Sequence, residues 1–172
     1  MNRLARNLRA LFWSVMALSV ISACAVSEAT RQERAARQEQ LASAISQGLA
    51  ERRFQVDVDR AYPQGRGRVI HLTSDYSVRV SGDTIVSYLP FFGRAYSVPY
   101  GGGSGLNFTG RITSYSQRVS RSGERIITIG VESKEDVYVY TVSLFDDGNA
   151  SVGVQPHQRS YIYFTGRYHE EE

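Results

Sequence analysis

Few side chains in this 172-residue sequence are spaced for chemistry, and the densest candidate is the segment 89–108, LPFFGRAYSVPYGGGSGLNF. It holds three consecutive glycines, two prolines, five aromatics and one charge, Arg94. A glycine-rich loop cradles phosphate when its glycines stand at fixed offsets and the chain then enters a helix whose first N–H groups meet the anion. Gly105 and Gly110 have the right separation, but Arg111-Ile112 replaces the Lys-Ser or Lys-Thr pair, and the alternation that follows is that of a strand. The dinucleotide pattern fails as well, because no strand-loop-helix unit surrounds the loop. Ser104 lies among glycines, yet residue 106 is Leu where a nucleophile turn of the Gly-x-Ser-x-Gly type needs glycine. Asp146-Asp147 has the form of a carboxylate pair for acid–base work or calcium, but DDGN between two apolar runs is hairpin-turn chemistry. Asp57 and Asp59 share one strand face, and His71, His157 and His169 lack metal-ligand spacing. No catalytic set, metal site or cofactor site is expected.

The leader comes next. Arg3, Arg6 and Arg9 precede an apolar run, Leu11 to Ile21, which ends in small residues as a secretory signal does. The run is about half the ~20 residues of a spanning helix, which disfavours a permanent transmembrane anchor. Ile21-Ser22-Ala23-Cys24 resembles the lipobox of bacterial lipoproteins, where the signal is cut before the cysteine and its sulfur receives a diacylglycerol anchor carrying acyl chains such as palmitate. Cys24 is the one cysteine in the sequence, so its acylation leaves neither a free thiol nor a disulfide. Removing Arg3, Arg6 and Arg9 from the 20 basic residues leaves 17, equal to the 17 acidic ones. The basic character of the precursor therefore reports the leader, and nucleic acid is not indicated as a partner. Trp13 leaves with the leader too.

The elements that must position any site are legible from periodicity. Residues 25–53 are rich in Ala, Gln, Glu and Arg without proline, and Leu41, Ile45 and Leu49 fall on one stripe, which predicts a helix of about 20 residues packing on its own domain. From Phe54 onward the period becomes two: Phe54, Val56 and Val58, then Tyr76, Val78 and Val80, then Leu106, Phe108 and Ile112, then Ile127, Ile129 and Val131. Residues 137–145 are apolar on both faces, which predicts a central or covered strand. Ser81-Gly82-Asp83, Ser122-Gly123-Glu124 and Asp146-Asp147-Gly148-Asn149 supply turns. The expected fold is mainly β, an antiparallel barrel-like meander of about eight or nine strands preceded by one N-terminal helix. The expected organisation is a signal peptide at 1–23, a lipidated tether and helix start at 24–40, a β-rich domain at 41–168, and a solvated tail at 169–172.

That frame leaves the aromatic loop open to two readings. Pro90 and Pro99 lack a ladder N–H, so the strand from Thr84 stops near Pro90 and a wide loop runs to Leu106. Phe91, Phe92, Tyr96 and Tyr100 then either fold back as a plug over one barrel end or meet a ligand or partner, with Arg94 available to orient an anionic group.

Several segments together carry a family resemblance: FQVDVDRAYP at 54–63, YSVRVSGD at 76–83, LPFFGRAY at 89–96, GLNF at 105–108 and YIYFTG at 161–166. Over residues 40 to 168 the sequence resembles the bacterial domain-of-unknown-function family 4251, small envelope lipoproteins of Gram-negative bacteria, and LPFFGRAY is the most specific element. The resemblance implies a mainly antiparallel β domain behind a lipidated N-terminus and assigns no catalytic or binding residue. The expected function is a membrane-tethered envelope lipoprotein acting as a non-enzymatic binding or structural module. It would sit at the outer membrane facing the periplasm, since Ala25 is not the Asp that retains some lipoproteins in the inner membrane. Its expected partners are the membrane, through the lipid, and an envelope protein or small ligand. Two alternatives stand beside it: a carrier holding an apolar ligand inside the barrel, and an envelope hydrolase using Asp146, Asp147 or a histidine.

Overall fold

The computed structural model describes residues 28, 30–65, 68–94, 105–134 and 136–171. The chain divides into two compact units, residues 1–40 and 41–172. In the first, residues 30–40 are helical. In the second, residues 41–51 are helical (α1) and lead into eight strands: β1 Arg53–Pro63, β2 Ile70–Ser81, β3 Thr84–Pro90, β4 Gly105–Val119, β5 Arg125–Glu132, β6 Val137–Leu144, β7 Asn149–Pro156 and β8 Ile162–His169. Each strand pairs antiparallel with its sequence neighbour, and β8 returns to β1, so the fold is a closed up-and-down barrel. Closure removes both sheet edges, which would otherwise expose unpaired backbone groups.

Alternation decides what fills the barrel. Phe54, Val56 and Val58 of β1, Val78 and Val80 of β2, Ile127, Ile129 and Val131 of β5, and Phe164 of β8 all point inward and are buried. Tyr138 and Tyr140 stand beside Phe108, whose ring stacks on Tyr138 with centroids 4.5 Å apart. Fully burying one such large apolar side chain contributes about 1.5–3 kcal/mol, so a packed interior is the main source of stability. The outward positions carry Gln55, Arg79, Arg111 and Glu132. β6 differs from the covered strand expected of its sequence: Val137 is 53% and Val139 43% exposed, while Tyr138, Tyr140, Val142 and Leu144 are buried. A strand in a single closed layer has one interior face, and Val137 and Val139 fall on the other one. β8 reaches His169, which pairs with Gln55, one residue past the boundary expected at 168.

α1 closes one end of the barrel. Ile45 and Leu49 are buried, and Leu41 packs against the same core. The helix stops at Arg52, a non-glycine residue with φ of 53°, a conformation that costs an L-residue about 1–2 kcal/mol. Its surroundings hold it there. The Arg52 guanidinium pairs with Asp83 at 2.9 Å and lies 4.7 Å from the centre of the Tyr115 ring, and its carbonyl accepts from Gly82 N at 2.9 Å. The Leu49 carbonyl, in the last turn of the helix, accepts from Arg52 N at 3.3 Å and from Gln117 Nε2 at 2.9 Å. Turns at 82–83, 120–124 and 145–148 gather at this helix end, so β1, β3, β5 and β7 all run from it toward the opposite end.

The closing seam is tight. Between Val58 and Arg60 the register of β1 shifts against both neighbours: Asp59 is an extra residue against β8 and faces residues 72–75 of β2, an irregularity that turns the strand around the barrel. Across this seam Gly166 of β8 approaches so closely that an added Cβ would overlap the Asp57 carbonyl and press on the Val58 backbone. Gly166→Ala is expected to force β1 and β8 apart and cost about 3 kcal/mol or more, at the upper end of overpacking effects. Gly153→Ala meets only the movable Tyr161 side chain and should cost clearly less. Equal denaturant midpoints for the two variants would contradict this account of closure.

One buried polar pair makes the barrel sensitive to alkali. The Tyr140 hydroxyl donates to Ser87 Oγ at 3.0 Å, both groups being buried. Burial pushes the Tyr140 pKa well above its ordinary value, only partly offset by the Ser87 bond. Burial also raises Tyr115, Tyr161 and Tyr168. These phenols stay neutral in the fold but ionise near pH 10 once unfolded, so their contribution is complete below about pH 10 and is lost as pH rises above it. Melting temperature should fall from about pH 10 upward, and less steeply in Tyr140→Phe. Identical slopes in the two proteins would show that Tyr140 has no part in it.

Candidate functional site

The end of the barrel opposite α1 is built by the segments that leave β1, β3, β5 and β7. Phe91, Phe92, Gly93 and Arg94 follow β3, Gly105 begins β4, and residues 157–161 join β7 to β8. Pro90, without an amide hydrogen, ends the β3 ladder opposite Gly105. Phe91 and Phe92 turn back, half-buried, onto the apolar core, while Arg94 is exposed. Tyr96, Tyr100 and the rest of residues 95–104 lie outside the described residues, as does Cys24.

The 91–94 segment is fastened to the β7–β8 connection. Ser160 N donates to the Arg94 carbonyl at 2.9 Å, and Arg94 N donates to Ser160 Oγ at 3.0 Å. An added Cβ at Gly93 would collide with Ser160 Oγ and with the Phe91 ring, so this crossing needs glycine. The β7–β8 connection is fastened in turn to the β5–β6 turn. One Asp136 oxygen accepts from Val137 N at 2.8 Å and the other from Gln158 N at 3.1 Å, and His157 N donates to the Val137 carbonyl at 2.9 Å.

Arg159 sits at the centre of this arrangement and is 4% exposed. Its guanidinium carbon lies 5.4 Å from the centre of the Phe91 ring, and Nη1 donates to the Gly105 carbonyl at 3.0 Å. It thus bridges the end of β3 and the start of β4. Periodicity offers no sign of it. Arg159 lies in the polar turn HQRS, where an arginine is ordinarily solvated, and only the folding of β3 onto that turn buries it.

The other candidates are not brought together. Asp146 pairs with Arg125, and Asp147 accepts from Asn149 N at 3.0 Å, the self-capping of a hairpin turn. Asp57 accepts from Gln55 at 2.6 Å and lies 3.7 Å from His169, whereas Asp59 is the bulge residue of β1. His71, His157 and His169 are exposed, on β2, the β7–β8 connection and β8 respectively. Among the described residues, no group of three or more His, Cys, Asp or Glu side chains is placed to hold a metal ion. A cleft of about 810 Å³ opens at the helix end between Leu41, Gln55, Arg79, Tyr168 and Glu171, the full length of the barrel away from Phe91.

The model of the family described as "Domain of unknown function (DUF4251)" matches residues 36–168. Among solved structures, the chain is similar to the crystal structure of a DUF4251 family protein from Bacteroides eggerthii DSM 20697, with a TM-score of 0.61 at 16% identity. The match covers 76% of this chain and 87% of that one. No curated protein matches the sequence. At this identity the structural likeness bears on the fold alone, but the family model spans most of the sequence, so the chain belongs to the DUF4251 family.

Proposed function

We propose that the protein is a lipid-tethered module of the bacterial envelope that acts by binding, at the barrel end formed by Phe91, Phe92, Arg94 and the β7–β8 connection, and does not itself catalyse a reaction. The observation that carries this reading is the contrast between the two ends. α1 seals one end with Ile45 and Leu49, and β1 begins there. The other end presents an exposed arginine, two half-buried phenylalanines and a buried arginine beside one another. Exposed or part-exposed aromatics next to fixed polar groups on loops of a rigid scaffold are the usual makings of a recognition surface.

Two further points favour binding over the alternatives. A carrier needs room inside the barrel, and the interior is occupied by Phe54, Tyr138, Tyr140 and Phe164, each at most 1% exposed, with buried aliphatic side chains between them. A hydrolase needs its acid and base in one place, whereas Asp146 pairs with Arg125, Asp147 caps its own turn, and the three histidines are exposed on separate elements. The outward charged residues and apolar interior are also the reverse of a barrel that spans a bilayer with a polar lumen, which supports attachment through a lipid over insertion of the barrel.

Attachment is tested by fractionation. Cys24→Ser should move the protein from membranes to the soluble envelope fraction, since each buried acyl CH₂ contributes about 0.8 kcal/mol and two or more chains anchor firmly. Retention of Cys24→Ser in the membrane would contradict a lipid tether. Recognition is tested by capture from native envelopes with the anchor intact. Arg94→Ala, at an exposed position, should leave the melting temperature within about 2 °C of wild type while reducing recovery of the bound species. The control Arg79→Ala, on the outer wall, should not reduce it. Equal recovery with all three proteins would contradict recognition at the far end.

A further inference from the structure

Among the described residues, Arg159 is a buried cation without a counter-ion. Taking a guanidinium out of water costs several kcal/mol unless a carboxylate or a full set of acceptors replaces the solvent. The ion pairs among the described residues are Arg52–Asp83, Arg60–Asp59, Arg125–Asp146 and His169–Asp57, and none involves Arg159. The carboxylate on the adjoining turn, Asp136, is committed to the backbone N–H groups of Val137 and Gln158. Among the described residues, the one acceptor that the Arg159 guanidinium holds is the Gly105 carbonyl, met by Nη1.

The donors left over have a defined geometry. With Nη1 spent on Gly105 and one face of the guanidinium toward Phe91, the edge carrying Nε and Nη2 remains. That edge presents two parallel N–H bonds, the fork that two oxygens of one carboxylate accept together. Arg159 is 4% exposed, and none of its nitrogens is among the fully buried, unpartnered side-chain polar atoms of the described residues, which are Thr165 Oγ1 and Glu171 Oε2. Phe91 supplies an apolar wall, and the Arg94 backbone is bonded to Ser160, which brings a second positive charge to the rim.

We propose that this end of the barrel binds a small carboxylate with an apolar body, its two oxygens on the Nε and Nη2 edge of Arg159, its body against Phe91, and Arg94 attracting it at the rim. The proposal rests on the reading of this end as the recognition surface, and gives that surface a ligand class. It needs neither the lipid nor a protein partner, so its test stands apart from fractionation and envelope capture.

The full chain in detergent is titrated with benzoate, acetate and inorganic phosphate at matched ionic strength, with chloride as the reference, by calorimetry and by thermal shift. Benzoate is expected to bind saturably at one site and to raise the melting temperature by about 5–10 °C near saturation. Acetate should bind more weakly, and phosphate should not exceed chloride. Arg159→Lys, which keeps the charge and loses the fork, should weaken benzoate by about tenfold or more, and Arg94→Gln by only about two- to threefold. Absence of benzoate binding to wild type would overturn the proposal, as would a stronger response to phosphate than to benzoate. Undiminished benzoate binding to Arg159→Lys would overturn the assignment of the site to that guanidinium. Should Arg159→Lys fail to fold, benzoate-induced amide shifts in wild type decide the location: shifts at Phe91, Arg94, Gly105 and Ser160 support it, and shifts confined to the helix end contradict it.

Discussion

The structure depends on one constraint, that β8 must come back to β1 and close. Pairing of Gln55 through Pro63 with His169 through Ile162 is the contact most distant in sequence within the barrel, and without it the meander would be an open sheet with two exposed edges. Two local features permit it. The bulge at Asp59 bends β1, and Gly166 lets β8 approach with no side chain in the way. Closure then encloses the large interior side chains, and their burial supplies the free energy that holds the seam. A closed barrel must still stop its ends, and the two ends are treated differently: α1 and its capping residues seal one, whereas the other is finished by loops tied to each other through backbone hydrogen bonds.

That asymmetry is where structure meets function. At the loop end the ties run from Asp136 to Gln158, from Ser160 to Arg94, and from Arg159 to Gly105, so residues 91–94, the start of β4, Asp136 and the β7–β8 connection are fastened to one another. Rigid placement lowers the ordering cost of binding, which favours a recognition surface on such loops. The same ties account for the buried guanidinium. Arg159 is drawn inward by Gly105 and Phe91, and the resulting charge is left for something else to meet. A core arginine satisfied by a carboxylate of its own chain would be a fastening and nothing more.

Much of the fold was legible in the sequence because a barrel strand writes its interior face as a period of two. Phe54, Val56 and Val58, or Ile127, Ile129 and Val131, could be assigned to one face before any coordinates, and the stripe Leu41, Ile45, Leu49 marked the helix face that is buried. β6 misled for a physical reason. Valine suits a strand on either face, so Val137 and Val139 read as covered although they are open to solvent. The widened stretch of β2 was not visible either: between His71 and Tyr76 four residues face the single Asp59 of β1, and such register is a property of the pair. The loop end was legible only in part. Its aromatics stood out by composition, but Arg159 and Asp136 become informative only when distant turns meet, since a lone arginine or aspartate in a polar turn carries no signal of burial.

The central claim is that Arg159 offers an unmet donor edge to a carboxylate. Its most direct measurement is the nitrogen-15 signal of the Arg159 Nε–H group in the full chain, followed by NMR as benzoate is added, with the resonance assigned by its loss in Arg159→Lys. The expected result is a resolved Nε–H signal that shifts with benzoate along a saturating curve and exchanges more slowly with water when benzoate is bound. A signal unchanged in position and exchange rate through the titration would contradict the claim and leave Arg159 as a structural bridge between β3 and β4.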